Sequence, residues 1–493
     1  MKSLFKNIFL ATGLLSLIIS AGCKKQLDIN VDPNNPAVSN GTPSVVFPAG
    51  VFGTTAAVGG QLAILGGIWG QYVTQSAFSN QYKIIDAYQV SNSDLNGGYR
   101  LLFTNGLKNY QFVIDNSKAT QNWNFYIMGV TMKAYSAQVL VDLYDQIPYF
   151  EALQGANLLT PKFDDGYTIY QDLLKLLDTA LSKPLNAAVL TASDKAADLL
   201  FAGNMDKWTR FANTLELKMY LRMVYKKPTD AQAGIQKLYA RNAKFLDVDA
   251  GVSGFTNVTN KDNPMYEQNI RSLNTPDNLR ASKTFTSFLA AKNDPRITYS
   301  FGTAAPVPVN QGDYAGTDPT YKNATVLKES ATDPVIFISL PETDFMQAEA
   351  LERYFGGTGA KAMYDAGVQA SFTQTGSGSA AAFLAPGGAY EYPTAGTLEQ
   401  KIEAISVQKW ISCAYGVHYL EGFFEKNRTG YPRTSAVYST SASYVPGQFV
   451  ISKNSVLGGS LLPKRLVFPK VESDANPNTP AIVPITTTVW WAQ

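Results

Sequence analysis

Aromatic rings and side-chain amides occur together in two stretches of the chain, and that combination can bind a polar, ring-shaped ligand. Residues 69–89, WGQYVTQSAFSNQYKIIDAYQ, carry Trp69, Tyr72, Phe78, Tyr82 and Tyr88 among Gln71, Gln75, Asn80 and Gln81. Residues 263–274, NPMYEQNIRSLN, carry Tyr266 with Asn263, Gln268, Asn269 and Arg271. Ring faces stack on sugar faces, and amides or a guanidinium bind hydroxyls through paired hydrogen bonds. The candidate ligand-binding residues are therefore Trp69, Tyr72, Gln75, Tyr82, Tyr266, Gln268 and Arg271. The competing reading for the first stretch is helix packing, which uses the same residue types.

Catalytic chemistry has less to draw on. His418 is the chain's single histidine, which rules out histidine-cluster zinc sites and leaves any nucleophile–histidine pair dependent on one residue. Cys413 lies in the apolar stretch KWISCAYGVHYLEGFF and reads as a small buried hydrophobe. Paired carboxylates suffice for a glycosidase, and Asp164–Asp165, Asp142 with Asp145, and Glu342 with Asp344 are the pairs on offer. Asp165 and the Glu342–Asp344 pair also stand where helices begin, where carboxylates cap and complement the helix dipole. No phosphate-binding glycine loop or EF-hand run is present. The stretch TNKDNPMYEQN (259–269) has oxygen ligands for a structural calcium, without diagnostic spacing. The expectation is no catalytic set, no catalytic metal and no cofactor.

The first residues read as an address. Lys2 and Lys6 precede a mostly apolar run from Ile8 to Ile19, and Ser20, Ala21 and Gly22 lead into Cys23. This is the layout of a signal peptide over 1–22, with Cys23 placed for lipidation as in a bacterial lipoprotein. Ser20 departs from the leucine usual at that place. The apolar run is shorter than the ~20 residues that span a bilayer. Without Lys2 and Lys6 the 41 basic residues become 39 against 39 acidic, so no basic field exists to attract nucleic acid. Only Cys23 and Cys413 are present; with Cys23 lipidated, no internal disulfide forms.

These side chains must be positioned by a mainly helical scaffold. Residues 23–44 form a polar, proline-rich tether. In 125–144, Ile127, Val130, Ala134, Ala137, Val141 and Tyr144 step by three and four, which builds one apolar stripe on a helix. Residues 166–182 repeat the pattern, and 206–225 is apolar on most faces, as in a helix packed between others. Helices are also expected over 94–117, 229–244, 342–355, 359–372 and 397–426. Paired helices in series suggest a helical-repeat scaffold of tetratricopeptide type, although no clean 34-residue repeat appears. The expectation is one domain over 45–493. Its scaffold occupies about 45–245 and 342–428, with loop-rich segments over 245–340 and 429–493 on the ligand side.

Several stretches together resemble the SusD/RagB-like nutrient-binding outer-membrane lipoproteins of Bacteroidetes. CKKQLDINVDPNNP looks like their lipidated cysteine and tether. LVDLYDQIPYFEAL (140–153) is similar to D-x-Y-G-D-I-P-Y-x-E-A, departing at Asp145 and Gln146. PKFDDGYTIYQDLL (161–174), GNMDKWTRFANTLELKMYLRM (203–223), LPETDFMQAEA (340–350), YDAGVQASF (364–372) and LPKRLVFPKVESDANPN (462–478) match further blocks in order. VQKWISCAYGVHYLEGFFEKNRTGYP (407–432) matches another, with departures at His418 and Asn427. NPMYEQ and NDPR (293–296) resemble a SusD-like subgroup.

The resemblance implies a scaffold of four tetratricopeptide-like helix pairs and a binding protein rather than an enzyme. It implies a lipid anchor at Cys23 in the outer membrane, facing the exterior, though Lys24 and Lys25 stand where surface-exported relatives often carry acidic residues. It also implies a SusC-type TonB-dependent transporter as partner, with the chain acting as its lid and delivering an oligosaccharide or similar nutrient. Arg428 is expected to bond neighbouring loop carbonyls, and Gly430 to permit a turn. No ligand residue carries over, because these vary with substrate. A secreted glycosidase on a helical scaffold and a cell-surface interaction adaptor remain the alternatives.

Overall fold

The structure is a computed structural model that describes residues 41–493 apart from Asn186; Cys23, the signal segment and nearly all of the tether lie outside the described residues. The long helices are α1 (Pro43–Gly59), α2 (Gln61–Trp69), α3 (Lys108–Thr120), α4 (Trp123–Tyr144) and α5 (Gly166–Leu181). They continue with α6 (Met205–Arg222), α7 (Pro228–Ala240), α8 (Leu340–Tyr354), α9 (Ala360–Gln374), α10 (Leu398–Ser412) and α11 (Tyr419–Thr429). Consecutive helices pack as pairs, α3 with α4, α6 with α7, α8 with α9 and α10 with α11. The stripe read from 125–144 is α4, started by the Asn122 side chain accepting from Phe125 N at 3.4 Å and buried along almost its whole length. Asp165 caps α5 by accepting from Thr168 N at 3.1 Å, and Ser339 caps α8 through Glu342 N at 3.1 Å. α1 and α2 together are long and apolar enough to cross a membrane, but 83% of their most apolar window is buried inside the protein.

Two predicted helices are interrupted. The 94–117 segment is helical from Asn96 to Thr120 but passes through a π-helical stretch at Leu101–Leu107. The 397–426 segment breaks at Tyr415–Val417, where Gly416 takes φ 62° and a Cβ would lie 2.3 Å from Ile336 Cγ1. Only glycine permits both that conformation and that approach. The break starts α11 on a new axis and turns His418 inward.

The strands are short antiparallel pairs among the loops: β1 (Val73–Gln75) with β5 (Leu279–Ala281), β2 (Gln146–Pro148) with β3 (Phe163–Asp165), and β4 (Ala250–Val252) with β6 (Val335–Ile338). The first pair stitches the aromatic stretch near residue 75 to the loop-rich segment near residue 280.

The centre of the scaffold holds buried charge. Lys218 on α6 bonds Glu342 of α8 at 2.9 Å and Glu421 of α11 at 2.8 Å. Arg222 bridges Asp142 of α4 at 3.0 Å and Glu421 at 2.8 Å. Lys409 on α10 reaches Glu421 at 2.9 Å and Glu425 at 3.1 Å. His418 Nε2 lies 2.8 Å from Glu342 Oε2 and Nδ1 lies 3.0 Å from Ile336 O, so the single histidine is bound into the scaffold. Arg428 does not chiefly bond loop carbonyls as expected: its guanidinium takes Glu349 at 2.8 and 2.5 Å and Glu425 at 3.1 and 2.5 Å, with one further bond to Leu221 O. Lys426 does that job instead, donating to Gly430 O at 2.7 Å and Pro432 O at 2.5 Å. Gly430 does form the turn, at φ 81°.

Removing these charges from water is costly, and close pairing offsets it. Burial pushes the Glu342 carboxyl up, but Lys218 and Lys409 overcome it and hold it at about 2. Burial opposes Glu349 likewise, and Arg428 and Arg353 hold it at about 2. A carboxylate depressed in the folded state adds stability above its unfolded value, and that stability is lost as pH falls toward the folded value. Thermal melts should therefore show the transition temperature dropping steeply between about pH 4.5 and pH 2; a flat profile over that range would contradict the network's role.

Candidate functional site

A cavity of about 160 Å³ opens where α2, the loop after β1 and the Pro264–Arg271 segment meet. Its walls are Gln61, Ile64, Gln81, Tyr82, Ile84, Ile85, Asp94, Leu95 and Gln268. The mixture of aliphatic wall and a few convergent polar groups is the usual make-up of a small-ligand site. Gln61 is held by donating to Asp94 O at 3.1 Å and accepting from Gly98 N at 3.1 Å. Gln268 enters beside Gly60, where an added Cβ would meet Ala56 O at 2.6 Å and Gln268 Oε1 at 3.2 Å.

Tyr82 is set by the loop that carries it. Asp86, fully buried, accepts from Thr74 Oγ1 at 2.6 Å, Gln75 N at 2.8 Å and Gln311 Nε2 at 2.9 Å. Burial still lifts its carboxyl to about 6 against those bonds. Gln75 accepts from Tyr82 N at 2.6 Å and donates to Ser79 Oγ at 2.6 Å. The Tyr82 ring is 4% exposed, and its Oη has no hydrogen-bond partner in the protein. A buried hydroxyl left without a partner costs free energy.

The structure thus brings Tyr82 and Gln268 into one cavity and sends other candidates elsewhere. Trp69 is buried, donates from Nε1 to Ile85 O at 3.0 Å and packs on Phe423 at 5.3 Å, so it offers no face to a ligand. Tyr72 donates to Trp410 O at 2.6 Å and is enclosed by Phe285, Trp410 and Tyr419. Gln75 is fully buried and positions Tyr82 rather than facing the cavity. The first two corrections share one cause, that α10, α11 and the Lys283–Ala291 helix close over the stretch from far along the chain; Gln75 is turned inward by its own loop, Ser79 to Asp86. Tyr266 is half-buried under the Arg271 guanidinium, 5.4 Å from the ring centre. Arg271 itself is taken by Asp262 at 2.5 Å, Asn257 at 2.6 Å and Glu267 at 3.2 Å. That pairing takes one oxygen of the Asp262 carboxylate, within the stretch considered for calcium, and the described residues hold no cluster of three or more metal-binding side chains.

Phe78, from the same aromatic stretch but outside the candidate set, is the ring that reaches solvent, at 61% exposure. A larger cavity of about 650 Å³ lies on the other side of the Pro264–Arg271 segment, between Phe52, Val252, Phe255, Asp262 and Pro264. Most of the carboxylates weighed for catalysis are otherwise engaged: Asp142 and Glu342 in the buried network, Asp164 on Tyr149 N and Phe150 N, Asp165 on Thr168 N and Asp145 on Trp490 N; Asp344 is the exception, half-buried with its carboxyl lifted by burial to about 7.

Comparison with known proteins agrees with this architecture. The SusD-like family described as starch-binding and associating with the outer membrane matches residues 65–449. A SusD homolog from Bacteroides uniformis superposes with a TM-score of 0.71 at 22% identity, over 91% of this chain and 99% of that one. A SusD/RagB family protein from Bacteroides thetaiotaomicron gives 0.71 at 19% identity, over 92% and 99% of the two chains. A chitin-binding SusD homolog from Flavobacterium johnsoniae gives 0.70 at 22%, over 90% and 97%. No curated protein sequence matches the chain. The matched region takes in α3 to α11, the buried charges at their centre and all of the cavity wall except Gln61 and Ile64, and the chain belongs to the SusD-like family of non-catalytic, outer-membrane-associated glycan- and nutrient-binding proteins.

Proposed function

We propose that the chain captures an oligosaccharide in the cavity between Gln61, Tyr82 and Gln268 and passes it to a SusC-type TonB-dependent transporter, over which it closes as a lid. The observation that carries this reading is the cavity itself. It has an aliphatic wall of Ile64, Ile84, Ile85 and Leu95 and three amides, Gln61, Gln81 and Gln268, beside Tyr82, so a sugar can lay an apolar face on the wall while its hydroxyls hydrogen-bond to the amides. The chitin-binding relative supports a glycan as the ligand class. In this reading the lipid anchor is at Cys23 and the cavity faces the cell exterior.

A glycan panel followed by calorimetry tests the capture step. Gln268→Ala should weaken the best ligand roughly tenfold, the equivalent of about one good hydrogen bond, while the thermal transition stays in place because Gln268 is half-buried at the cavity edge. Unchanged affinity would remove this cavity as the site. The anchor is tested separately: Cys23→Ala should move the protein from the membrane fraction to the soluble one, and retention in the membrane would contradict it. Co-purification of the transporter with the tagged protein tests the partner.

A further inference from the structure

The cavity assigned to capture is too small to enclose an oligosaccharide by itself. Sites that hold a ligand of several rings measure about 300–1,000 Å³. The capture cavity, at about 160 Å³, falls below that range, and the larger cavity beside it, at about 650 Å³, falls within it. Both are walled by the same run of chain. Phe52, Thr55 and Ala56 near the end of α1 line the larger one, and Gln61 and Ile64 at the start of α2 line the smaller. Between them the Pro264–Arg271 segment crosses the α1–α2 junction at Gly60. A Cβ on Gly60 would lie 3.7 Å from Pro264 Cβ, on the wall of the larger cavity, and 3.2 Å from Gln268 Oε1, on the wall of the smaller. Pro264 and Gln268 are one turn apart on a helical segment, so the ridge between the two cavities is about 5–6 Å wide.

The walls of the larger cavity suit a sugar chain. Phe52 stands 52% exposed on α1, and Phe255 is half-buried on the loop after β4. That loop is fastened in place: Thr256 N donates to Lys261 O at 2.8 Å, and Asn257 Oδ1 accepts at 2.6 Å from Arg271, which the ridge segment itself carries. Ser253, Thr256 and Asn260 add hydroxyls and an amide beside the two rings. Rings for the apolar face of a sugar and polar groups for its hydroxyls are thus present on both sides of the ridge. We propose that the two cavities are halves of one extended site. The ligand is a linear oligosaccharide whose units fill the smaller cavity, cross the Pro264–Gln268 ridge and lie against Phe52 and Phe255 in the larger. This rests on the reading of the smaller cavity as the capture site. The site then selects for chain length, because the larger cavity adds affinity only to a chain long enough to cross the ridge.

The test is calorimetry with ladders of α-1,4-linked glucose, β-1,4-linked glucose and β-1,4-linked N-acetylglucosamine, each from the disaccharide to the hexasaccharide. In the wild type the ladder that binds should gain at least ~10-fold in affinity along its length, with one chain bound per protein. Phe52→Ala should hold the hexasaccharide to within about threefold of the disaccharide and leave the disaccharide itself within about twofold of wild type. Its thermal transition should stay in place, because the ring is half-exposed. Phe255→Ala is the second variant and should flatten the same gain from the opposite wall, whereas Gln268→Ala should weaken every length alike. Affinity that does not change with length in the wild type, a gain that survives both phenylalanine variants, or two chains bound per protein would overturn the proposal and leave capture in the smaller cavity standing. If no ladder binds at any length, the capture reading itself falls and the extended site with it.

Discussion

Arg428→Ala is expected to destabilise the protein by about 3–5 kcal/mol, the range for stripping one partner from a buried, hydrogen-bonded ion group. Arg428 is 2% exposed and lies between two carboxylates that are themselves buried, Glu349 on α8 and Glu425 on α11. Its removal leaves Glu349 with Arg353 at 2.7 Å and Glu425 with Lys409 at 3.1 Å. Each carboxylate would then be short of the planar fork that satisfied it. Arg428→Lys keeps the charge but not the fork and should fall between the two. The loss has a signature in pH. Below about pH 4.5 the wild type progressively gives up the stability of Glu349, which Arg428 chiefly supplies against burial. The difference between wild type and Arg428→Ala should shrink in acid. Urea unfolding at neutral pH and near pH 4 measures both effects; a gap that is small at neutral pH, or that does not narrow in acid, would contradict this account.

The helices were legible where one stripe repeats along one segment, as with Ile127, Val130, Ala134, Ala137 and Val141 on α4. The break before α11 was not, because Gly416 departs from helix for the sake of Ile336 on β6, a neighbour that local periodicity cannot reveal. Arg428 and Lys426 were hard to tell apart for a similar reason. They are separated by one residue, and which reaches the carboxylates and which the loop carbonyls depends on the axis of α11 and its contact with α8. Site residues divide along the same line. Tyr82 and Gln268 come from separate stretches that composition had already marked, and they do meet. Composition does not show that Trp69 lies under Phe423, nor that Phe78 is the ring left in solvent.

Trp69 and Tyr82 can be separated by experiment, because folding and ligand capture should respond to them in opposite ways. Trp69→Ala is expected to cost about 3–5 kcal/mol of stability, the range for truncating a large buried aromatic. It would lose the packing on Phe423 and the bond from Nε1 to Ile85 O. Affinity per folded molecule should stay close to wild type, since the indole does not line the cavity. Tyr82→Phe removes a hydroxyl that has no partner in the protein. It should therefore leave stability unchanged or slightly raised, while weakening any glycan that uses the hydroxyl by several-fold. Denaturant unfolding and calorimetry on the same two variants read both quantities. Were Trp69 a stacking platform, its removal would abolish binding with the transition midpoint unmoved, and the packing described for α2 and α11 would have to be wrong.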